Sequence, residues 1–191
     1  MTYKIALNYT DYLNLSINKK KLMLAVGKKM GGSKAFMSYS QDNRSLKDVW
    51  IDQGGAFVKV EGLKATEAPD ITVWNSANLV LSPKAFDLLH DELNSDGEFL
   101  PITINGSNSY VFNCLNVVEV DPSASEADIV NGLWMGIKKL GFSEGDVSSN
   151  LIFKTSFDRC SALYCGEAFR TLIEKHQLTG LLFLKDLVND F

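Results

Sequence analysis

The sequence predicts an α+β fold built mainly on antiparallel sheet, with a few short helices packed on it. Three observations carry that expectation. Apolar residues come in strand-length runs separated by Gly, Asn, Asp and Pro, not in long helical periods. One segment, 82–93, has both the cap and the periodicity of an amphipathic helix. The stretch containing it then recurs: LVLSPKAFDLLHDELNSDGEFLP, from Leu79, aligns without a gap on ALYCGEAFRTLIEKHQLTGLLFL, from Ala162. The offset of 83 places Ala85 on Ala168, Phe86 on Phe169, Leu89 on Leu172 and Gly97 on Gly180, and upstream Thr72 on Thr155 and Trp74 on Phe157. These positions define a strand–helix–turn–strand unit, so two similar units are expected in the C-terminal two-thirds.

Taken in order, residues 1–65 read as a β-rich, irregular lobe. Tyr3–Leu7 and Tyr12–Ile17 alternate loosely in polarity. Lys19, Lys20 and Lys21 read as a solvated turn or sheet edge, and Leu22–Val26 as a short apolar run stopped by Gly27. Val49–Ile51 and Ala56–Val60, around Gly54-Gly55, read as a hairpin. The polar stretch 61–69 is the candidate boundary, giving lobes 1–65 and 66–191 or one continuous domain. Ile71–Trp74 and Leu79–Leu81 are short strands. Ser82 is an N-cap and Pro83 a first-turn proline. Phe86, Leu89 and Leu93 share one helical face, with Asp87 and Asp91 on another. Phe99–Ile104 and Tyr110–Val120 form a hairpin about Asn105-Gly106. Ile129, Leu133 and Ile137 suggest a short helix within 126–140, and 141–150 a polar loop. In the second unit Leu151–Thr155 and Leu181–Leu184 are strands. Cys165 stands where the first has the capping Ser82, and Gly180 ends the helix.

Composition bounds the function. The chain has 191 residues, 46% hydrophobic and 22% charged, ordinary for a soluble domain. No apolar run approaches the ~18–20 residues that span a bilayer, and the N-terminus lacks a secretory pattern, so a cytoplasmic protein without a membrane role is expected. Three cysteines, an odd number, argue against a disulfide framework. Residues 1–65 hold 11 Lys/Arg and 5 Asp/Glu, whereas 66–191 hold 8 and 18. The acidic part disfavours nucleic acid and favours basic proteins. Two lobes of opposite charge can also pair within one chain or between copies.

Candidate chemistry is sparse. Cys165 or Cys160 with His176 or His90 could form a nucleophile–base pair, but a small residue at a strand–helix corner explains Cys165 equally simply. Gly31-Gly32-Ser33-Lys34 lacks the full phosphate-loop pattern. Two histidines without paired cysteines give no metal set, and no cofactor is expected. For contact with a partner, Asp87, Asp91 and Glu92 offer an acidic helix face, and Trp50, between Asp48 and Asp52, an aromatic anchor. Trp74 reads as core.

The order Leu81-Ser82, Gly97-Glu98-Phe99-Leu100-Pro101, Tyr110-Val111-Phe112-Asn113, Val117-Val118-Glu119-Val120-Asp121, Ser125-Glu126, Ile152-Phe153-Lys154 and Leu178-Thr179-Gly180-Leu181 resembles the Imm-eleven family of bacterial immunity proteins. The resemblance covers roughly residues 70–185 and implies a non-enzymatic protein of a polymorphic toxin system. Such a protein binds a cognate toxin so that the producing cell and its kin survive. It implies turns at Gly97 and Gly180, core positions at Phe99 and Leu100, and a hydrogen-bonded corner at Asp121 and Ser125. The toxin is expected to be protein, and basic if the acidic part steers it.

Overall fold

A six-stranded and a four-stranded sheet organise the chain, and the N-terminal residues contribute to both. The computed structural model describes residues 1–75 and 77–189. In order the elements are β1 (Thr2–Leu7), β2 (Asn14–Ile17), α1 (Lys19–Lys29), α2 (Ser33–Met37), β3 (Gly55–Val58), β4 (Ile71–Trp74), β5 (Asn78–Leu81), α3 (Pro83–Leu93), β6 (Gly97–Ile104), β7 (Ser107–Cys114), β8 (Glu126–Val130), β9 (Leu133–Lys139), α4 (Glu144–Ser148), β10 (Ile152–Phe153), β11 (Leu163–Gly166), α5 (Glu167–Lys175) and β12 (Leu181–Leu184). The larger sheet has the order β2-β3-β6-β7-β5-β4 and the smaller β10-β11-β1-β12, with β8-β9 apart as a two-stranded ribbon. Among the described residues these strands pair antiparallel except where β3 meets β6, and two isolated bridges outside them, Tyr12 with Glu67 and Val117 with Lys154, are parallel. The fold is α+β, as the sequence predicts.

Side-chain alternation distributes the core. Leu79 and Leu81 of β5 face one side of the larger sheet, with Phe112 and Cys114 of β7, while Val80 and Val111 face the other. The first side joins Tyr3, Ile5, Leu163 and Cys165 of the smaller sheet, and both α3 and α5 pack into this shared core. The second side is covered by Leu22, Val26, Phe36, Tyr39 and Leu46. Glu98 fixes this cover: its carboxylate accepts from Leu46 N at 2.6 Å and Asn113 Nδ2 at 2.8 Å.

Several local expectations are corrected. Lys19–Lys21 do not form a turn but open α1, because the Asn18 side chain accepts from Lys21 N at 2.9 Å and burial of Leu22 and Val26 rewards a helix. Residues 49–60 are not a hairpin; β3 pairs with β2 instead. The strand after Asn105-Gly106 ends at Cys114, and 141–150 contains α4. Residues 126–140 hold no helix. They form the β8–β9 hairpin about Asn131 (φ 53°) and Gly132 (φ 78°), both left-handed as a tight primed turn requires.

The two units share a topology. β5 and β6 flank β7 in the larger sheet, and β11 and β12 flank β1 in the smaller, all antiparallel. The structural offset, however, is 84, from Pro83 to Glu167 at the two helix starts. Moving the first unit by 84, and β7 back by 107, turns the pair Leu81↔Tyr110 into Cys165↔Tyr3 and Phe99↔Phe112 into Phe183↔Ile5. Leu79 then falls on Leu163, Ala85 on Phe169 and Leu89 on Ile173, all in the shared core. The carbonyl of Asp96, which accepts from Leu115 N, falls on that of Gly180, which accepts from Asn8 N. An offset of 83 matches more letters but would turn every strand side chain to the opposite face. Cys165 therefore corresponds to Leu81, a core-facing strand residue, and the position of Ser82 is taken by Gly166.

Candidate functional site

The expected site residues do not converge. Asp87, Asp91 and Glu92 lie on the exposed face of α3, and Asp91 (94% exposed) meets neighbouring His90 at 3.0 Å. Trp50 packs against the opposite face of the larger sheet from α3 and is half-buried there, its Nε1 donating to Pro101 O at 2.7 Å. It is held by β6 and does not project as an anchor. Trp74 is core.

The cysteines are poor nucleophiles. All three are buried and free. Burial pushes the Cys114 thiol up to about 12 and raises those of Cys160 and Cys165, so each is protonated at neutral pH. His90 is engaged with Asp91, and its ring lies tilted against those of Phe86 and Phe99. Among the described residues no cluster of His, Cys, Asp or Glu could hold a metal ion, and no helix is long and apolar enough to cross a membrane.

The unexpected feature is the β8–β9 hairpin. Ile129 (59% exposed), Val130 (49%), Leu133 (68%), Trp134 (39%) and Met135 (61%) present their side chains to solvent at its tip. These five exposed apolar residues fall within seven positions of one hairpin and on both of its faces, since Ile129 pairs with Trp134 and Val130 with Leu133. Its base is fixed. Asp121 N donates to Gly141 O at 2.9 Å, and Ser125 Oγ both donates to Gly141 O and accepts from Gly141 N. A Cβ at Gly141 would stand 2.5 Å from that of Ala124, so the two ends of the hairpin close as near as glycine permits. Asp121 accepts from Ser123 N and Oγ, which holds its carboxyl below the usual range and keeps it ionised. The corner implied for Asp121 and Ser125 is thus the foot of this ribbon.

Beneath the hairpin an open cleft of about 690 Å³ runs between Trp134 and Ile137 on one side and Ala6, Asp158 and Tyr164 on the other. Burial raises the Asp158 carboxyl, which accepts from Tyr164 Oη at 2.9 Å and Ser161 N at 3.2 Å. The next two residues, Arg159 (φ 61°) and Cys160 (φ 52°), are left-handed. That conformation costs non-glycine residues about 1–2 kcal/mol each, and it carries the Arg159 guanidinium to 4.3 Å from the Trp134 ring centre.

Sequence reasoning passed over these residues because Ile129, Leu133 and Ile137 also fit a helical spacing. Asn131-Gly132, the same dipeptide that marks the β6–β7 turn, is the signal that identifies a hairpin here. No family model matches the chain, and no curated protein matches it.

Proposed function

We propose that this chain is a bacterial immunity protein that binds a cognate protein toxin and neutralises it by covering its active site or substrate path, acting without catalysis in the cytoplasm of the producing cell. The observation that supports this reading is the exposed apolar tip of the β8–β9 hairpin on a fixed base, a surface suited to burial against another protein. The order of family-like segments in residues 70–185 points to the immunity role in particular. The acidic balance of residues 66–191 favours a basic toxin and would accelerate its capture. The rival reading, a cysteine-dependent enzyme, meets thiols that burial keeps protonated.

The test is co-expression with the toxin encoded beside this chain. Growth should be restored and a stoichiometric complex recovered. Lack of both rescue and complex would refute the proposal.

A further inference from the structure

We infer that the outer face of α1, with the adjoining α2, docks this chain peripherally on a membrane surface rich in anionic lipid. The inference goes beyond the toxin-binding role, does not depend on it, and revises the expectation of no membrane role.

Uncompensated charge carries it. Residues 12–41 hold Lys19, Lys20, Lys21, Lys28, Lys29 and Lys34 and no Asp or Glu. All six lysines are exposed, and among the described residues none of them makes an ion pair. The carboxylates that bound this stretch are engaged locally: Asp11 accepts from Asn8 Nδ2 at 2.9 Å, and Asp42 from Ser38 Oγ at 2.6 Å. Leu22 and Val26 turn inward, into the cover of the larger sheet, so helical spacing sets Lys20, Lys21, Leu24 and Lys28 on the far side of α1. Gly32 N, donating to Gly27 O at 2.7 Å, ties α2 to α1, and α2 adds the exposed Lys34 and Met37. Lys19 instead lines the cleft beneath the hairpin. The lysines of the first turn oppose the helix dipole, so local stability does not account for them.

The make-up of the face selects lipid. Leu24 (57% exposed) and Met37 (74%) stand among the lysines, aliphatic side chains able to enter the headgroup boundary while the charges meet phosphate. Lysine keeps its hydration on a flexible stem, which suits a fluid headgroup layer and suits the dry centre of a protein interface poorly. Residues 12–41 hold no Arg, and Tyr12, Phe36 and Tyr39 are buried or half-buried, so the face lacks the stacking platform of a nucleic-acid site. The net charge of −4 does not oppose this approach. Helix α3, with Asp87, Asp91 and Glu92, packs on the other side of the larger sheet, so a membrane met by α1 lies away from those carboxylates.

The experiment floats the full-length protein with vesicles of phosphatidylcholine alone or of phosphatidylcholine mixed with phosphatidylglycerol. Binding should require phosphatidylglycerol and weaken at least ~10-fold from low to high salt. The triple variant Lys20→Gln/Lys21→Gln/Lys28→Gln should lose at least ~10-fold in vesicle affinity while melting no lower than the parent. If it does melt lower, Lys28→Gln/Lys34→Gln, outside the first turn of α1, should lose affinity in its place. Leu24→Trp should shift its fluorescence to the blue with the mixed vesicles and not with phosphatidylcholine. Asp87→Asn/Asp91→Asn, on the other side of the sheet, should change affinity by less than ~2-fold. Equal binding to both vesicle types, no binding to the mixed ones, or affinity that ignores the folded lysine variants overturns the inference. Tighter binding of a DNA duplex or of polyglutamate at the same salt, lost with the same lysines, overturns lipid as the partner. Growth rescue by co-expression with the toxin reads the immunity role separately and is unaffected by any of these outcomes.

Discussion

The first unit, β4–β5–α3–β6, closes on the strand that follows it, whereas the second, β10–β11–α5–β12, closes on the strand that begins the chain. Both reach the same sheet order, with the closing strand between the second and third strands of the unit. In the first, a two-residue Asn105-Gly106 turn makes the connection; in the second, the N-terminal β1 inserts between β11 and β12. The relation is that of a permuted repeat. Core-facing positions correspond closely, but the rims do not. Phe86 stacks on Tyr110 at 3.6 Å in one unit, while Arg170 at the matching place covers the Tyr3 ring at 5.2 Å in the other. The architecture therefore depends on which positions face inward, and tolerates a ring or a guanidinium where the surface begins.

The units also clasp each other. The Asp96 carboxylate, at the helix–strand turn of the first, accepts from Leu151 N and Ile152 N, each at 3.0 Å, at the start of the second. Thr179, at the corresponding turn of the second, accepts from Ile71 N through its carbonyl and donates to Asp70 from both N and Oγ1. Each turn thus satisfies backbone or side-chain groups at the other unit's first strand.

Breaking the permuted closure should have the largest effect. Removing residues 2–7 withdraws Tyr3 and Ile5 from the core and strips partners from both β11 and β12, so no cooperative thermal transition should remain. Joining the chain ends through a short Gly/Ser linker and opening the chain between Asn105 and Gly106 exchanges the roles of the units. That permutant should fold, with a circular dichroism spectrum matching the parent's.

The clasp is tested next. A Cβ at Gly180 would lie 2.2 Å from Ile71 O and 2.3 Å from Pro69 Cβ, at φ +107°. Gly180→Ala should therefore cost about 4 kcal/mol in urea denaturation, from overlap and backbone strain together.

A subtler difference lies at Lys154, which occupies the place of Val73 when Ile152 is laid on Ile71. It is fully buried, and its Nζ donates to Ser40 O at 3.2 Å. Lys154→Met should be neutral or stabilising by about 1–3 kcal/mol. Desolvation lowers the Lys154 pKa from 10.5 on folding, so the folded state releases a proton more readily than the unfolded. The parent should gain stability as pH rises from that lowered value toward 10.5 and hold a constant, lower stability below it. Melts of the Met variant should lack this rise.

The smallest effect concerns the caps. Ser82→Ala loses the bond from Ala85 N and should cost about 1 kcal/mol, whereas Gly166→Ala loses no such bond and should cost about 1 kcal/mol for a different reason, because its Cβ would meet Val147 Cγ1 at 3.0 Å and Val147 O at 3.3 Å.

Local codes in the sequence foretold much of this fold. Ser82-Pro83 started α3, Asn105-Gly106 made a hairpin, and Trp74, Leu89 and Leu93 went to the core. The functional surface was less legible. An apolar residue reads alike whether it is buried or displayed, so Ile129, Leu133 and Ile137 read as one face of a short helix. Asp87, Asp91 and Glu92 were exposed as expected, but Trp50 proved to lie on the opposite side of the sheet.

The sequence by itself determined the α+β class, the two similar units, and the chemistry of the caps and tight turns, because these follow from contacts within a few residues. The tertiary structure alone decided the offset of 84, the insertion of β1 between two C-terminal strands, and the exposure of the β8–β9 tip. A strand side chain's face depends on the register of a partner distant in sequence, and a pattern of apolar letters does not record which partner that is.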